Sequence, residues 1–509
     1  MSIALTSHGA LRILLALSAV SVLTWSCKRN EITPSPRIQK TKPADPIAGF
    51  YASSETEVRA KNNFYYALFN KDYERNFAAL PTSGEVTPAK VPYVGSWFPQ
   101  TQGGTNVRIR GASPLEKYDA VFNTGSSAKA AGWEIKNHTV SSTDSSAGWA
   151  GHCNGYSAAS TRHSEPQKEV TRGSTIFYPE DIKALLAEVH MGAKFYFLGG
   201  NRCGLIENAP LMPPGSRQDP LTMGDCDDVN PATFHISVAN WIGIQKYPLV
   251  VDIHGKEQVW NYPHWKYSVQ SRPVPTATEA NSLIMGPNSG STYKFNPAAK
   301  SFQSVALTMT HTDAFSAEIM TAKVDAAKRY KMVTYNYILE LNDAGNIIGG
   351  EWLSTSQINH PDFVWVALEP MPGDGSSFSS NPNLVPAEVI KLWTESIGAD
   401  PQNPPLAIME PTVATQWGKF SKFDVLVNGA SSGAAFAVDD SMEIAFNPKA
   451  ALSGATVAAV LDGNKLDLDA SGLKALITKP ASGIHVLEVS WLAGGKPVES
   501  QRLRLNVLK

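Results

Sequence analysis

The sequence predicts an α+β fold for most of the chain and a separate all-β domain at its end. Three observations support this: apolar residues recur at helical spacing in two early segments, β-patterned segments begin near residue 233, and the composition changes near Pro404. At 509 residues the chain is long enough for two to four domains, because single cores stop growing at roughly 250 to 300 residues. We expect a main domain over residues 49–395 and a second domain over residues 404–509.

Two segments of the main domain are typical of helices. Within residues 50–81 the apolar side chains lie near helical spacing. In RGSTIFYPEDIKALLAEVH a helix is expected to begin near Pro179, because proline is favoured in the first turn. Glu180 and Asp181 would also lie in that turn, where the helix dipole stabilises negative charge.

The segments that follow are typical of strands. TFHISVANWI, YPLVVDIHG and EQVWNYP predict strands between residues 233 and 269, with a short turn containing Gly243. NDAGN at 342–346 predicts a hairpin turn between two alternating strands. From Pro404 to the end, short Val/Leu/Phe-rich segments are separated by Gly, Asn and Asp. This pattern predicts a small appended β-sandwich, of the Ig-like kind.

The N-terminus has the pattern of an export signal. Arg12 precedes an apolar segment, small residues follow, and Cys27 stands before two basic residues. This predicts a signal peptide over residues 1–27 with a lipoprotein-type cleavage site, and lipid attachment at Cys27. The proline-rich residues 28–48 would form a polar tether. We therefore expect an exported protein that is anchored to a membrane through lipid or, alternatively, secreted.

The overall charge gives no reason to expect a nucleic-acid partner. The formal net charge is −2 and 18% of the residues are charged, so no basic field is predicted.

The four cysteines can be assigned different roles. Cys203 and Cys226 lie 23 residues apart around a loop rich in proline and glycine, and in an oxidising compartment they are expected to form a disulfide. With Cys27 assigned to lipidation, Cys153 is left unpaired. A remaining cysteine in an exported protein suggests a chemical role.

The residues around Cys153 suit a nucleophile but do not establish one. In AGHCNGYSAAS a glycine-containing approach precedes a run of small residues able to form a buried helix. The N-terminus of a helix favours a thiolate, because its unpaired N–H groups and dipole stabilise an anion. The backbone N–H of Cys153 could also serve an oxyanion hole. Since an isolated cysteine is more often structural, these residues alone leave both interpretations open.

A cysteine nucleophile needs a base and a group that orients it. His235 begins one expected strand and Asp252 ends the next, so antiparallel pairing about the intervening turn would place them opposite each other on one sheet face. With Cys153 they form a candidate triad. His152 and His254 are alternative bases, and Asp252 could instead be an ordinary strand-end residue.

Six separated blocks carry a resemblance to a known family: PYVGSWFPQTQGGTNVR, SPLEKYD, GWAGHCNGYSAAS, NPATFHISVANWIG, VVDIHGKEQVWNYPHWKYSV and GNIIGGEWLSTSQINHPDFVW. In this order they resemble the transglutaminase elicitor family of oomycetes and its bacterial relatives, whose catalytic domain is similar to that of papain-type cysteine proteases. The blocks span roughly residues 91–366. The lipoprotein-like leader and the C-terminal β region lie outside the resemblance.

The resemblance implies a papain-like transglutaminase domain that transfers the acyl group of a protein glutamine. Cys153 would attack the side-chain carboxamide, ammonia would leave, and a lysine amine or water would resolve the thioester. His235 would act as the base and Asp252 would hold its imidazole. The expected partners are therefore proteins with accessible glutamine and lysine side chains.

Three tryptophans near these blocks are candidates for substrate binding or for shielding the thioester from water: Trp149, Trp241 and Trp260. They are equally well interpreted as aromatic residues of the core.

No metal site and no required cofactor are expected from the sequence. Calcium is possible, because the stretch GDCDDVNP brings Asp225, Asp227 and Asp228 together and oxygen-rich loops suit this ion. A solvated acidic loop is the plainer interpretation.

Two other functions remain open from the sequence. The same triad could serve a cysteine peptidase or a glutamine deamidase, since the sequence does not show whether an amine or water resolves the thioester. In a third hypothesis the protein is a noncatalytic surface-binding lipoprotein, in which the C-terminal domain recognises a partner.

Overall fold

The structure is a computed structural model, which describes residues 58, 61–62, 64–66, 68–69, 71–143, 148–200, 228–253, 258–315, 329–357, 359–370, 372–373, 380–402, 405, 423–427, 436–437, 441–449, 455–478 and 483–508. The signal peptide with Cys27, the tether, and the expected Cys203–Cys226 disulfide lie outside these ranges. Among the described helices, none has both the length and the apolar character needed to cross a membrane.

The part of the chain that precedes the C-terminal strands, called the main unit below, contains an eight-stranded antiparallel sheet. The first twelve strands of the chain are β1 (Ser83–Glu85), β2 (Gly95–Ser96), β3 (Val170–Arg172), β4 (Thr175–Phe177), β5 (Phe195–Gly199), β6 (Leu249–Asp252), β7 (Asn261–Val274), β8 (Ser301–Thr312), β9 (Ala314–Phe315), β10 (Tyr330–Leu341), β11 (Ile347–Trp352) and β12 (Val364–Ala367). The large sheet has the order β11-β10-β8-β7-β6-β12-β5, and β1 pairs with β7. β2 pairs with β9, and β3 with β4.

Helices cover both faces of the sheet. They are α1 (Pro114–Val121), α2 (Ala130–Asn137), α3 (Cys153–Arg162), α4 (Pro179–Val189), α5 (Pro231–Val238), α6 (Ala277–Met285) and α7 (Pro386–Ser396). In β6, Val250 packs in a cluster with Ala158 of α3. The next residue, Val251, packs in a different cluster with Phe234 of α5. Because successive strand residues point to opposite faces, α3 and α5 lie on opposite sides of the sheet.

Several sequence-based expectations are confirmed. The α+β class is observed, and the described positions between residues 58 and 69 are helical. α4 begins at Pro179, and Asp181 accepts a hydrogen bond from the Tyr178 N–H at 2.7 Å, as expected for an acidic residue in the first turn. β10 and β11 form the predicted hairpin at 342–346, where Gly345 has φ +76°.

The strand predicted for TFHISVANWI is wrong. This segment forms α5 and continues as a π-helical segment over Ala239–Ile244. The Asn230 side chain caps the helix by accepting from the Ala232 N–H at 2.8 Å, and Pro231 occupies the first position. All eight residues of α5 are buried, so no polar face reveals the helical period in the sequence.

The C-terminal residues form two further sheets. One contains β13 (Phe423–Val427), β15 (Ser441–Pro448) and β18 (Lys474–Thr478); the other contains β14 (Phe436–Ala437), β16 (Ala455–Leu461), β17 (Asn464–Lys465), β19 (Gly483–Ala493) and β20 (Lys496–Leu508). Phe423 and Phe446 of the first sheet share a hydrophobic cluster with Trp491 and Leu503 of the second. The Ig-like interpretation stays a prediction.

A buried pair of neutral histidines makes the stability of the main unit depend on pH. His163 and His190 are buried, with their Nε2 atoms 2.9 Å apart. Burial, assisted by nearby Arg162, lowers the pKa of His163 to about 3, and burial also lowers the pKa of His190. Since the unfolded chain takes up these protons at a pH of about 6.5, the stabilisation is present above that value and is lost as the pH falls below it.

We therefore expect the midpoint of thermal unfolding to fall as the pH drops from 7 to 5. Below about pH 6.5 each neutral histidine lowers the free energy of unfolding by about 1.4 kcal/mol per pH unit. His190→Asn should give a shallower dependence than the wild type, measured by thermal melts in matched buffers. An equal slope in the variant would show that this pair does not carry the effect.

Candidate active site

Cys153 is the first residue of α3, and its side chain is 8% exposed. The first N–H groups of a helix have no acceptor within the helix, so they and the dipole can stabilise a thiolate here. The small residues after the cysteine allow close packing of α3 on α4: a Cβ on Gly155 would lie 2.1 Å from the Ala187 carbonyl oxygen. The predicted position of Cys153, at the start of a buried helix, is what the structure shows.

The loop that follows β2 holds the segment leading to the cysteine. The Trp97 carbonyl accepts from the His152 N–H at 2.6 Å, and the Ala150 carbonyl accepts from the Gln100 N–H at 2.9 Å. A Cβ on Gly151 would lie 2.5 Å from the Trp97 ring, so this contact needs glycine. The arrangement fixes the indole of Trp97 next to the start of α3.

On the other side of the cysteine lies the chain that leads into β7. Cys153 Sγ is 3.7 Å from the Val259 carbonyl oxygen, and one helical turn later Ser157 Oγ donates to the Asn261 carbonyl at 3.0 Å. α3 therefore runs alongside residues 259–261. The ring of Trp260 lies against that of Trp97, with centroids 5.6 Å apart.

Asp252 is tied to the same segment. It is fully buried at the end of β6, is paired with Asn261 in the sheet, and accepts a hydrogen bond from the Trp260 N–H at 2.8 Å. Asp252 follows Val250 by two residues, so its side chain is on the face that carries α3. Asp252 and Cys153 thus both contact residues 259–260.

His235 is not brought to this site. The expected hairpin between residues 235 and 252 is wrong, because His235 lies on α5 and β6 pairs with β7 and β12. The imidazole is buried on the opposite face of the sheet, where its Nδ1 lies 2.8 Å from the Tyr337 hydroxyl. Burial lowers the pKa of His235 to about 4. The sheet separates it from Cys153, so it cannot accept the thiol proton.

His152, the alternative base next to the cysteine, points into the interior. Its Nε2 lies 2.9 Å from Glu188 Oε2 and 3.2 Å from Glu134 Oε1. Burial opposes its protonation, but these two carboxylates outweigh burial and hold the pKa of His152 well above its usual range. An imidazole that is already protonated cannot act as a base. The other alternative, His254, lies outside the described residues.

The three tryptophans have different surroundings. Trp260 is at the site. Trp241 is fully buried beyond the sheet, and its Nε1 donates to the Tyr73 hydroxyl at 3.0 Å, so it is a core residue. Trp149 is half-buried, four residues before Cys153. Trp97, which the sequence did not single out, lies at the site against Trp260.

The acidic stretch considered for calcium is only partly described. Asp225 and Asp227 lie outside the described residues. Asp228 pairs with His360, with Oδ2 2.7 Å from Nε2. Calcium binding at this stretch stays a prediction.

The comparisons with known proteins indicate the family to which the chain is related. A model of the transglutaminase elicitor family matches residues 128–396, which is more than half of the chain and includes Cys153 and Asp252. The chain is also similar to the crystal structure of the GP42 transglutaminase from Phytophthora sojae, with 25% sequence identity and a TM-score of 0.50. That similarity covers 66% of this chain and 97% of the other. No curated protein matches the chain.

Proposed function

Since the chain belongs to the transglutaminase elicitor family, we propose that it is a cysteine acyltransferase that joins protein glutamine side chains to amines. The observation that carries the proposal is the position of Cys153: it starts a buried helix inside the matched range, beside the segment to which Asp252 is hydrogen-bonded. The similar GP42 protein of Phytophthora sojae is a transglutaminase, which supports the same reaction class.

The proposed reaction has two halves. The Cys153 thiolate attacks the carboxamide carbon of glutamine, the C–N bond breaks, and ammonia leaves with a proton from the base. A lysine amine then attacks the thioester carbonyl and gives up its proton, which forms an isopeptide bond and restores the cysteine. If water replaces the amine, the product is glutamate. The backbone N–H groups at the start of α3 would stabilise the oxyanion in both halves.

The base of this reaction is proposed from the sequence. His254 is two residues beyond Asp252 and five before Val259, the residue whose carbonyl faces the thiol. Of the histidines considered as the base, His235 lies beyond the sheet and His152 faces Glu134 and Glu188. The proposed triad is therefore Cys153, His254 and Asp252.

The wider architecture is proposed to be papain-like, with a β-sandwich appended. A nucleophile helix packed on an antiparallel sheet supports the first part, and two sheets around one hydrophobic cluster support the second. Export and lipid attachment at Cys27 remain proposals from the sequence.

The proposal is tested by measuring both products of the wild-type protein. A fluorescent primary amine is incubated with a glutamine-containing protein, and amine incorporation and ammonia release are followed together. Incorporation with about equal ammonia release supports acyl transfer. Ammonia release without incorporation would instead indicate a deamidase, and cleavage of the glutamine-containing protein would indicate a peptidase.

Asp252→Asn is expected to lower kcat by roughly 10²-fold, because the amide keeps the hydrogen bond from the Trp260 N–H but cannot stabilise an imidazolium with its charge. The measurement is kcat and KM for amine incorporation. Asp228→Asn, which changes another aspartate in contact with a histidine, should remain within about threefold of wild type. A similar loss in both variants would argue against a specific role for Asp252.

A further inference from the structure

Four metal-ligating side chains meet directly beneath the start of α3. Glu134 and His138 come from α2 and its C-terminal cap, His152 precedes Cys153, and Glu188 lies on α4. All four are fully buried, and one ligand atom from each lies within 4.8 Å of all the others. They come from three separate elements and meet at one point. None of them takes part in the reaction proposed for Cys153.

The spacing of the ligand atoms fits a tetrahedral cation. His152 Nε2 is 2.9 Å from Glu188 Oε2, 3.2 Å from Glu134 Oε1 and 3.2 Å from His138 Nδ1. His138 Nδ1 is 2.8 Å from Glu134 Oε2 and 3.8 Å from Glu188 Oε1. Four ligands held about 2.0 Å from a tetrahedral zinc ion have their atoms roughly 3.3 Å apart. The distances from His152 Nε2 are close to this spacing, whereas His138 faces the other oxygen of each carboxylate, so the carboxylates would turn to bring one oxygen each to the ion.

The ring of His152 aims Nε2 at the cluster, and this nitrogen would offer an electron pair to a metal ion that displaces its proton. Its Nδ1 is 3.4 Å from the Phe98 carbonyl oxygen, which can only accept, so the proton is assigned to Nδ1. In metal sites a second ring nitrogen bonded to a carbonyl orients the ligating nitrogen in this way. Nε2 then faces two carboxylates and a second imidazole. A proton on Nε2 can bond to one of these groups at a time, whereas a cation can bind all three.

The two carboxylates accept hydrogen bonds that would orient them, as the residues surrounding the ligands of a metal site do. Glu134 Oε1 accepts from the Thr105 N–H at 2.9 Å, and Glu188 Oε1 accepts from the Asn381 N–H at 3.0 Å. The Thr105 hydroxyl lies between the two carboxylates, 2.9 Å and 2.8 Å from them, with one proton to share. A Cβ on Gly104 would lie 2.3 Å from Glu134 Oε1, so the chain closes tightly over the cluster.

The charges also balance with a divalent ion. Two buried carboxylates carry two negative charges, and buried charges are costly unless they are paired or coordinate a metal. Once the ion displaces the His152 proton, two neutral imidazoles and two carboxylates form a set of four ligands with no open position, as a structural zinc site requires.

We propose that Glu134, His138, His152 and Glu188 bind one divalent cation of the zinc class, which fixes the start of α3 beneath the nucleophile. The ion holds the backbone at His152, so the position of the Cys153 thiol depends on it. It has a structural role and does not touch the substrate.

The first test is the metal content of the full chain after purification from metal-replete medium and dialysis against a mild chelator. We expect about one first-row divalent ion per chain, and a loss of at least tenfold in His138→Asn and in Glu188→Gln. His190→Asn serves as the matched control, because it alters another buried histidine pair and should keep the metal. A wild-type chain that holds far less than one ion, or equal contents in the His138 and His190 variants, would overturn the proposal.

A second measurement does not depend on how the variants fold. Wild-type protein is stripped by chelation and titrated with Co²⁺, whose visible absorption reports a tetrahedral site of nitrogen and oxygen ligands. Saturation at one equivalent, with the same spectrum in Cys153→Ala, would support the four-residue site. A spectrum that disappears with the thiol, or no saturable absorption, would contradict it. Neither readout depends on acyl transfer, so the proposed function is tested separately.

Discussion

Replacing Cys153 by alanine is expected to abolish both amine incorporation and ammonia release. Each half of the proposed reaction passes through a thioester on this sulfur, so no partial route remains. We expect a fall in kcat/KM of at least about 10³-fold, with amine incorporation and ammonia release measured side by side. Loss of both signals together would place one nucleophile in both the transfer and the hydrolysis branches.

Two controls separate a lost nucleophile from a damaged fold. Cys153→Ala should unfold within a few degrees of the wild type, because the side chain is small and lies at the edge of the core. Alkylation of the wild type at Cys153 should remove activity in step with the fraction modified. Retention of more than a tenth of the wild-type rate in Cys153→Ala would contradict the proposed mechanism and favour a noncatalytic binding role.

The second large effect is expected from His254→Asn, which should lower kcat/KM by about 10³-fold through loss of the base. His235→Asn should stay within about threefold of wild type, because its imidazole lies beyond the sheet from Cys153. The cost of His235→Asn should appear in stability instead. Disturbing a buried hydrogen bond to Tyr337 costs about 1 to 3 kcal/mol, which thermal melts can detect.

The pair of variants decides between His235, which the sequence favours as the base, and the alternative His254. If His235→Asn loses activity while its melting temperature is unchanged, the assignment of the base to His254 is wrong. A pH profile adds a further criterion, since removal of the base should abolish the acidic limb of kcat/KM while removal of a core imidazole should leave it in place.

The sequence by itself determined the structural features that depend on neighbouring residues. Gly151, Cys153 and the small residues that follow predict a cysteine at the start of a buried helix, because close helix packing excludes larger side chains. Pro179 and the acidic residues after it predict α4 correctly. The order of the family blocks led to the family that residues 128–396 match. These features are visible because capping, packing and turn formation involve neighbours in the sequence.

The cluster of two glutamates and two histidines beneath α3 could be predicted only in part from the sequence. Glu134 and His138 are four residues apart on one helix, which places both on the same face and could have been noticed. Glu188 gave no such signal, because it lies on another helix, among the apolar residues of α4. Nothing local indicates that these elements meet beneath His152.

Only the tertiary structure decided which side of the sheet each candidate residue occupies. A segment buried on every side has no polar face, so the sequence of TFHISVAN is compatible with a strand as well as a helix. The strand interpretation puts His235 opposite Asp252, which the pairing of β6 with β7 contradicts. Folding instead puts α5 and α3 on opposite faces of β6. The side of a sheet on which a helix packs is set by long-range burial of apolar surface, and the spacing of residues along the chain does not contain that information.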